Sequence, residues 1–490
     1  MNLAIWDIES SSASTDFGSI IEIGGILLDQ NFKEKDRFNL RCRLPEGEIP
    51  QCMALIVNKT SVDLLTKTNL SHYQMLGEVE KIFKKWSPAI FLGWSNIGFD
   101  DEMIRKEFFR SIRYPYLTNA SPNKRHDGLN IARAAYAIDN SVLKTEINAK
   151  GNAVMKLESL ARNNGFEVSG AHSAIFDAEL TIKVLSLIKK KQPKTWDAFL
   201  KTANRDDTET IIKKENIITL NEYFYGKSRL YLCAPLHPKA CIHPIYKWGQ
   251  AVDLRVDVKS LLKLSISDLK AEMKKTPKFL RTIRSNKAPI ILDASYAMKV
   301  EPYNVIDPAL IKERAELVKN NEKFSQKVIT ALREIAEEKE QLKSQEDIYA
   351  EESIYTKFTS AKDTNLFPLW HAASWKDKLK MLDKFEDNRL AGFGKKIIYQ
   401  ESPETLSTSI FKGVKKEIAK RSRLEFGKIP RVKDAHRNIS SMWNQLGGLV
   451  NFQDMTLTIS KESSGDTMRQ RPIANITEFK QALGSLKKFG

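Results

Sequence analysis

The chain has 490 residues, too many for one ordinary domain core, so we expect two to four domains. Hydrophobic residues make up 42% of it and charged residues 28%, which is typical of a globular protein and excludes a fibrous or broadly disordered chain. The formal net charge of +17 favours a polyanionic partner, either a nucleic acid or an anionic membrane surface. A well-solvated basic surface without such a partner is the alternative.

A membrane partner is disfavoured because the apolar runs are short. The run 23–28 is among the longest, whereas a helix needs about 20 apolar residues to span a bilayer. The first ten residues, MNLAIWDIES, contain two acids and lack the basic segment and long apolar core of a signal peptide. With only four cysteines the chain is no disulfide scaffold, so we expect a reduced, cytoplasmic protein.

The excess positive charge is distributed unevenly along the chain. Residues 1–192 carry 25 basic and 23 acidic side chains, whereas residues 193–490 carry 53 basic and 38 acidic ones. The first part is therefore close to neutral, and the remainder is strongly basic. This partition indicates that the first part uses acids for its function while the remainder attracts an anion.

The first 192 residues alternate predicted strands with predicted helices. Short apolar or alternating runs predict strands at 3–7, 20–30, 37–44 and 90–95. Apolar residues at helical spacing predict helices at 75–86, 100–110, 128–138, 155–163 and about 174–190. This order predicts an α/β domain with a mixed sheet.

A domain boundary is predicted in the charged and polar residues 192–215, which include Pro193. Strand-like runs dominate from about 218 to 300, with predicted strands at 229–234, 250–258 and 289–292. Amphipathic helices are predicted over roughly 308–344. Residues 345–490 are mostly helical and basic by prediction, with a more irregular segment near 425–475.

Four acids and one histidine occupy positions that suggest chemistry. Asp7 and Glu9 alternate at the end of the first predicted strand, so their side chains point to the same face. Asp100 lies where an apolar strand gives way to a helix, and Asp177 lies on the last helix of the domain. His172 precedes that helix by two residues. Carboxylates that share a face repel unless a cation lies between them, and a hard divalent cation is the natural partner.

Such a set of groups outlines a two-metal site for phosphoryl transfer. Two Mg²⁺ or Mn²⁺ ions can activate a water molecule and stabilise the leaving oxygen, and His172 can remove the proton of that water. Each residue taken alone has an ordinary interpretation, since paired acids two apart are common and a lone histidine is more often structural. Their order, strand context and spacing together favour the metal site.

Three segments together resemble the motifs of a known family. WDIE near the N-terminus, SNIGFDDE after a strand and AHSAIFDA at the end of the domain are similar to the motifs of the DEDDh (DnaQ-like) 3′→5′ exonuclease superfamily. Further segments, including KLESLARNNGFEVSGAHSAIFDAEL and KFEDNRLAGFGKKIIYQESPETL, resemble its bacterial exonuclease I family over about residues 1–415. Proofreading subunits and oligoribonucleases share only the three motifs.

The resemblance implies a role for each matching residue. The implied metal-binding acids are Asp7, Glu9, Asp100 and Asp177, and the implied general base is His172. The implied substrate contacts are Glu9, Lys156, Asn96, Phe99 and Ser10. Lys156 stands where the family has an arginine, so the positive charge is kept and the planar fork is lost. Ser10-Ser11-Ser12 follows Glu9 where the family prefers Thr-Phe-Gly, so the first of these positions keeps a hydroxyl donor.

The resemblance also implies an architecture and partners. A ribonuclease-H-like exonuclease domain at 1–192 precedes an SH3-like β-rich domain with appended helices at 200–345 and a helical domain at 346–490, which diverges from the family over 425–490. The implied partners are single-stranded DNA and the acidic C-terminal tail of single-stranded DNA-binding protein, and a monomer is expected. Basic side chains suit the phosphates and aromatic rings suit the bases. The aromatic candidates are Phe99, Trp94, Tyr225 and Trp248.

The sequence therefore predicts a Mg²⁺-dependent 3′→5′ exonuclease that degrades single-stranded DNA to nucleoside 5′-monophosphates in DNA repair, with Mn²⁺ as a substitute for Mg²⁺. An exonuclease acting on RNA is one alternative, because the same metal chemistry cuts both polymers. A binding protein on an inactivated nuclease fold is the other, and the retention of all four acids and His172 disfavours it.

One further cluster is disfavoured as a metal site. Cys233, His237, Cys241 and His243 have the composition of a zinc site. Their spacing matches no common zinc motif, and three prolines lie among them or directly after them. We therefore expect no structural zinc there.

Overall fold

A computed structural model describes residues 1–421, apart from residues 47, 49, 51–53, 55–56, 59, 61 and 342–347. The irregular segment predicted near 425–475 and the divergent residues 425–490 lie outside the described residues. No helix within the described part is long and apolar enough to cross a membrane.

A five-stranded mixed sheet organises the first part of the chain. Its strands are β1 (Asn2–Ser10), β2 (Ile20–Leu28), β3 (Glu34–Arg41), β4 (Ala89–Gly93) and β5 (Lys124–Asp127), in the spatial order β3-β2-β1-β4-β5. Strand β1 pairs antiparallel with β2 and parallel with β4, so it lies at the centre of the sheet. The predicted mixed sheet is therefore observed, and the acids of β1 lie at its middle.

Helices cover both faces of this sheet. They are α1 (Val62–Lys67), α2 (His72–Trp86), α3 (Asp100–Arg110), α4 (Gly128–Ile138), α5 (Leu157–Asn163) and α6 (Ala174–Lys191). Because side chains alternate along a strand, Ala4, Trp6 and Ile8 of β1 pack into the core beneath α2, whereas Leu3 and Ile5 pack into the core that includes α6. Asp7 and Glu9 are also odd-numbered, so their side chains project from the same face of β1 as Leu3 and Ile5.

The polar stretch in which we placed a domain boundary contains two helices, α7 (Pro193–Leu200) and α8 (Arg205–Lys214). Pro193 opens α7, where its missing N–H costs nothing, and the Asn204 side chain caps α8 by accepting from the Asp207 N–H at 2.7 Å. Trp196 and Phe199 are buried against the first core. This stretch is thus structured and packed, although its composition is polar.

A second five-stranded sheet follows, with all of its strand pairs antiparallel. Its strands are β6 (Ile218–Phe224), β7 (Lys227–Pro235), β8 (Gly249–Asp253), β9 (Leu280–Ile283) and β10 (Ile290–Asp293), in the order β10-β6-β7-β8-β9. The accompanying helices are α9 (Val258–Lys263), α10 (Ile266–Glu272), α11 (Ala294–Ala297), α12 (Pro308–Lys319) and α13 (Glu322–Gln341). Buried residues of α12 and α13 share one core with this sheet.

The remaining described residues form a helical region, as predicted. Its helices are α14 (Ala361–Ala372), α15 (Trp375–Met381), α16 (Asn388–Glu401) and α17 (Thr408–Arg421). Their core includes Phe109 and Ile112, which lie at and just beyond the C-terminal end of α3. The helical region therefore packs directly on the part of the chain that carries the acids. The exact domain limits at 192, 200, 345 and 346 stay predictions.

Candidate metal centre

Three of the predicted acids meet at the centre of the first sheet. Asp7 and Glu9 project from the same face of β1, and Asp177 lies in the first turn of α6. Each of the three offers a carboxylate oxygen, and these oxygens all lie within 4.8 Å of one another. Sequence positions about 170 residues apart are thus brought to the spacing of ligands that share a cation.

A glycine permits this approach. Gly24 of β2 lies directly opposite Asp7 in the antiparallel pairing. A Cβ atom at Gly24 would lie 2.4 Å from the backbone nitrogen of Ile175 and 2.6 Å from its Cα. The start of α6 therefore rests on the bare backbone of β2, and any larger residue at this position would push Asp177 away from Asp7.

The electrostatics show how crowded the acids are. Burial raises the pKa of Asp7 well above its ordinary value, and repulsion from Asp100, Asp177 and Glu9 raises it further. Burial also raises the pKa of Glu9 from 4.5 to about 8, with added repulsion chiefly from Asp177. Carboxylates held in this state are stabilised in their charged form by a nearby cation.

Asp100, at the N-terminus of α3, reaches β1 beside its two acids. Its side chain is 6% exposed, and burial raises its pKa to about 8, helped by repulsion from Asp101 and Asp127. A hydrogen bond from the Ile8 backbone N–H opposes this rise and ties the carboxylate to β1 between the two acids of that strand. Asp100 is thus beside Asp7 and Glu9, outside the tight group of three.

Sequence reasoning missed a fifth acid, Glu22 of β2. Glu22 is 2% exposed, lies opposite Glu9 in the sheet and forms an ion pair with Arg41 of β3. It also accepts a hydrogen bond from the Ser173 hydroxyl at 3.1 Å, just before α6. The sequence did contain a signal for Glu22, because it is a glutamate inside an otherwise apolar strand. Glu22 therefore ties the start of α6 to β2, and its charge adds to the repulsion that raises the pKa of Glu9.

His172 lies beside the acids, and its imidazole is oriented towards α5. Its backbone N–H donates to Asp177 Oδ1 at 3.4 Å, and its φ of 69° places it in the left-handed region. Its Nε2 lies 3.6 Å from Glu158 Oε2. Glu158, which the sequence did not single out, lies in the first turn of α5 and therefore holds the imidazole in this structure.

The predicted substrate contacts divide into two kinds. Lys156 and Phe99 are accessible: Lys156 is exposed at the N-cap of α5, and Phe99 is half-buried immediately before α3. Asn96 is fully buried, and neither of its amide atoms has a hydrogen-bond partner in the described part of the chain. Ser10 donates its hydroxyl to the Ser12 carbonyl at 2.9 Å, so the structure occupies that donor within the turn after β1.

The cysteine and histidine cluster of the second part does not assemble a site. The acid group at β1 is the one set of His, Cys, Asp or Glu side chains at ligand spacing that the described residues contain. Cys233 and Cys241 are buried, and burial raises the pKa of both thiols, so they stay protonated. His243 Nδ1 accepts from the N–H groups of Ile245 and Tyr246 instead.

The donor set determines which ligand fits the acid group. All of its donors are carboxylate oxygens, which suit a hard divalent cation, and no thiolate or imidazole faces the three oxygens at ligand spacing. The raised pKa values of Glu9 and Asp100 show that the uncompensated charge is costly. The residues present therefore fit a divalent metal ion.

Comparison with known proteins supports the same interpretation. Residues 5–185 match the exonuclease family (RNase_T). The curated exodeoxyribonuclease I of Buchnera aphidicola subsp. Schizaphis graminum is 26% identical over 403 residues, which cover 80% of this chain and 81% of that protein. The crystal structure of E. coli exonuclease I in complex with a dT13 oligonucleotide matches with a TM-score of 0.76 at 18% identity, covering 100% of both chains. A solved ExoI/SSB-Ct complex matches with a TM-score of 0.73 at 18% identity, covering 100% of this chain and 99% of that one.

These matches confirm the fold class and the resemblance predicted from the motifs. The structural match extends beyond the acid-bearing domain to the antiparallel sheet and the helical region. The chain is thus similar in its whole architecture to the proteins that its three motifs pointed to.

Proposed function

We propose that this chain, which carries an exonuclease domain over residues 5–185, is a metal-dependent 3′→5′ exonuclease that degrades single-stranded DNA to nucleoside 5′-monophosphates. The observation that carries the proposal is the convergence of Asp7, Glu9 and Asp177 within 4.8 Å. Its support is the fold, which is similar to that of an exonuclease I solved with a dT13 oligonucleotide. A role in DNA repair follows from that activity as part of the proposal.

Two Mg²⁺ ions are the proposed cofactors, with Mn²⁺ as a substitute. Asp7, Glu9, Asp100 and Asp177 would hold them, since oxygen-only donors suit both ions. When bound, such ions supply a nucleophilic water and neutralise charge on the scissile phosphate. The acids of this chain contribute by holding negative charge at fixed positions on β1, α3 and α6.

His172 is the proposed general base. An imidazole has an ordinary pKa near neutrality, so it can accept a proton from an attacking water. The bond from the His172 N–H to Asp177 Oδ1 keeps its backbone at the acid group. Glu158 would act as a positioning residue, because a carboxylate near Nε2 favours the protonated imidazole after the transfer.

The proposed substrate contacts surround this centre. Lys156 would contact a phosphate as a point charge, and Phe99 would offer a ring to a base next to the acids. Asn96 is fully buried, so its amide, which has no partner among the described residues, would contact the terminal nucleotide only if the turn Asn96–Gly98 opens. Glu9 and Ser10 would contact the same nucleotide, Ser10 only after releasing the Ser12 carbonyl.

The proposed partners are inferred from the strong positive charge of residues 193–490. Residues 193–490 would hold the phosphates of single-stranded DNA and bind the acidic C-terminal tail of single-stranded DNA-binding protein, as an ExoI/SSB-Ct complex has been solved. Domain limits of 1–192, 200–345 and 346–490, a monomeric state and a cytoplasmic location complete the proposal.

The decisive experiment uses 5′-labelled single-stranded DNA, single-stranded RNA and duplex DNA, each with Mg²⁺ or with EDTA. We expect a ladder that shortens from the 3′ end on single-stranded DNA, lost with EDTA and with Asp177→Asn. Glu179→Gln is the matched control, because it lies two residues further along α6 and pairs with Arg37 at the surface. Equal degradation of RNA would refute the substrate, and binding without cleavage would refute the enzyme.

A further inference from the structure

One strand pair at the acid centre contains a β-bulge. Glu22 of β2 lies opposite Glu9, whereas Ile20 lies opposite Ser10, the next residue of β1. Strand β2 therefore carries one extra residue, Ile21, directly beside Glu9. A bulge disrupts the hydrogen-bond ladder locally and changes the direction of the side chains next to it. The direction of the Glu9 carboxylate therefore depends on how firmly this bulge is held.

A side chain of α3 accepts a backbone hydrogen bond from this bulge. The Ile20 N–H donates to Glu107 Oε1 at 3.1 Å, and Glu107 is only 1% exposed. A buried backbone N–H needs an acceptor, and here a helix 87 residues further along the chain supplies it. The Ile20 side chain packs into the core beneath α2. Glu107 thus ties the bulge of β2 to α3.

Two basic side chains lie beside the Glu107 carboxylate. Arg110 Nη2 lies 3.0 Å from Oε1, and His72 Nε2 lies 3.2 Å from Oε2. Burial alone would raise the pKa of Glu107, but Arg110 and His72 outweigh it and lower the pKa below its ordinary value. The carboxylate is therefore ionised, and an ionised acceptor forms a stronger hydrogen bond with the Ile20 N–H than a neutral one does.

The same helix contacts the acid centre at its other end. Asp100 is the first residue of α3, and it accepts a hydrogen bond from the Ile8 N–H, next to Glu9. Glu107 lies seven residues later, about two helical turns, so Asp100 and Glu107 face the same side of α3. One helix therefore contacts β1 at Ile8 and β2 at Ile20. It fixes the two strands relative to each other where Glu9 lies.

We propose that Glu107 is a positioning residue of the metal centre, which raises the affinity of the acids for divalent ions by holding the bulge of β2 beside Glu9. The inference rests on one part of the proposed function, the divalent ion at the acid group. Without the bond from Ile20 to Glu107, the pairing of Ile20 with Ser10 loosens, and Glu9 loses its fixed direction. Groups that orient metal ligands from behind are worth roughly 10- to 100-fold in metal affinity.

Two substitutions separate the reach of the Glu107 side chain from its charge. Glu107→Asp keeps the charge but is one methylene shorter, so its carboxylate withdraws from the Ile20 N–H. Glu107→Gln keeps the length and a carbonyl acceptor but loses the charge. Mn²⁺ binding to the full chain without DNA is measured from the EPR signal of the free ion, and stability from the urea midpoint in EDTA. We expect Glu107→Asp to bind Mn²⁺ roughly 10- to 100-fold more weakly than wild type. Glu107→Gln should bind like wild type, although its urea midpoint should fall because Arg110 loses its charged partner.

Glu80→Asp is the matched control, because Glu80 of α2 is likewise paired with two basic side chains, Arg113 and Lys84. It should bind Mn²⁺ like wild type. The inference is wrong if Glu107→Asp also binds like wild type, or if Glu107→Gln loses as much affinity as Glu107→Asp. An affinity that simply follows the urea midpoint across the variants would refute it too, since stability alone would then explain the loss.

The proposed function is tested separately with wild type on single-stranded DNA and Mg²⁺. A wild-type chain that binds Mn²⁺ but cleaves no DNA would refute the nuclease and leave the role of Glu107 to the binding data. A wild-type chain that binds no Mn²⁺ would refute both.

Discussion

Replacing Glu9 by glutamine should make the metal-free protein more stable. The pKa of Glu9 rises from 4.5 to about 8 on folding, chiefly through burial and next through repulsion from Asp177. The contribution of Glu9 to the free energy of unfolding is therefore largest below pH 4.5. It falls as the pH rises and levels off above about pH 8. Because pH 7 lies about 2.5 above the ordinary pKa of Glu9 and below its raised pKa, this group lowers the free energy of unfolding by about 3 kcal/mol at pH 7. A glutamine cannot ionise and avoids this loss.

The assay is thermal unfolding in EDTA at several pH values between 5 and 8. Glu9→Gln should unfold several degrees above wild type at pH 7, and the difference should shrink towards zero as pH approaches 4.5. Glu78→Gln is the control, because Glu78 is an exposed acid of α2 paired with Lys81, and such pairs are worth about 0.5 kcal/mol. Adding Mg²⁺ should then narrow the difference, since wild type binds the ion better.

Two results would refute this reasoning. If Glu9→Gln were no more stable than wild type at pH 7, the carboxylates would not be the source of instability that their burial implies. If the gain were the same at pH 5 and pH 8, it would come from packing and not from the charge of Glu9.

Three further predictions concern the acid centre and two residues that pack beside it. Asp177→Asn should abolish most of the rise in unfolding temperature that millimolar Mg²⁺ produces in wild type, measured by differential scanning fluorimetry; an unchanged rise would place the ion elsewhere. Gly24→Ala should destabilise the protein by about 2 kcal/mol and reduce nuclease activity, because its Cβ would meet the backbone of Ile175; a wild-type urea midpoint and rate would contradict this. Arg41→Met should cost roughly 3 kcal/mol by leaving Glu22 buried and unpaired, and Arg41→Met combined with Glu22→Gln should recover most of the loss in urea unfolding.

Much of the fold could be predicted from the sequence, because the pattern that predicts a helix or strand lies within that helix or strand. The helices Asp100–Arg110 and Gly128–Ile138 lie at the predicted limits, because their apolar spacing and end signals are local. Strand β5 (Lys124–Asp127) was missed, because its residues Lys-Arg-His-Asp carry no apolar run. It forms because β4 offers a parallel edge for it, which is a property of the sheet.

The same division holds at the acid centre. The alternation of Asp7 and Glu9 and the motifs around Asp100 and Asp177 singled out the acids that we propose as ligands, since carboxylate chemistry can be read from residue type and strand period. Glu22 and Glu158 were not found, because their roles come from residues that face them across the sheet or across a loop.

The charge partition was present in the sequence, and so was the chemistry of a divalent metal site. Only the tertiary structure decided that Asp177 approaches Asp7 over a bare glycine backbone, and that Glu22 is neutralised by Arg41. It also decided that the half-buried Trp248 stacks on Tyr246 and donates to Asn286, whose neighbour Lys287 bonds to the turn before Asp100. Residue type determines which chemistry a side chain can do, whereas distance and burial, which set the strength of charge interactions, depend on how distant segments pack.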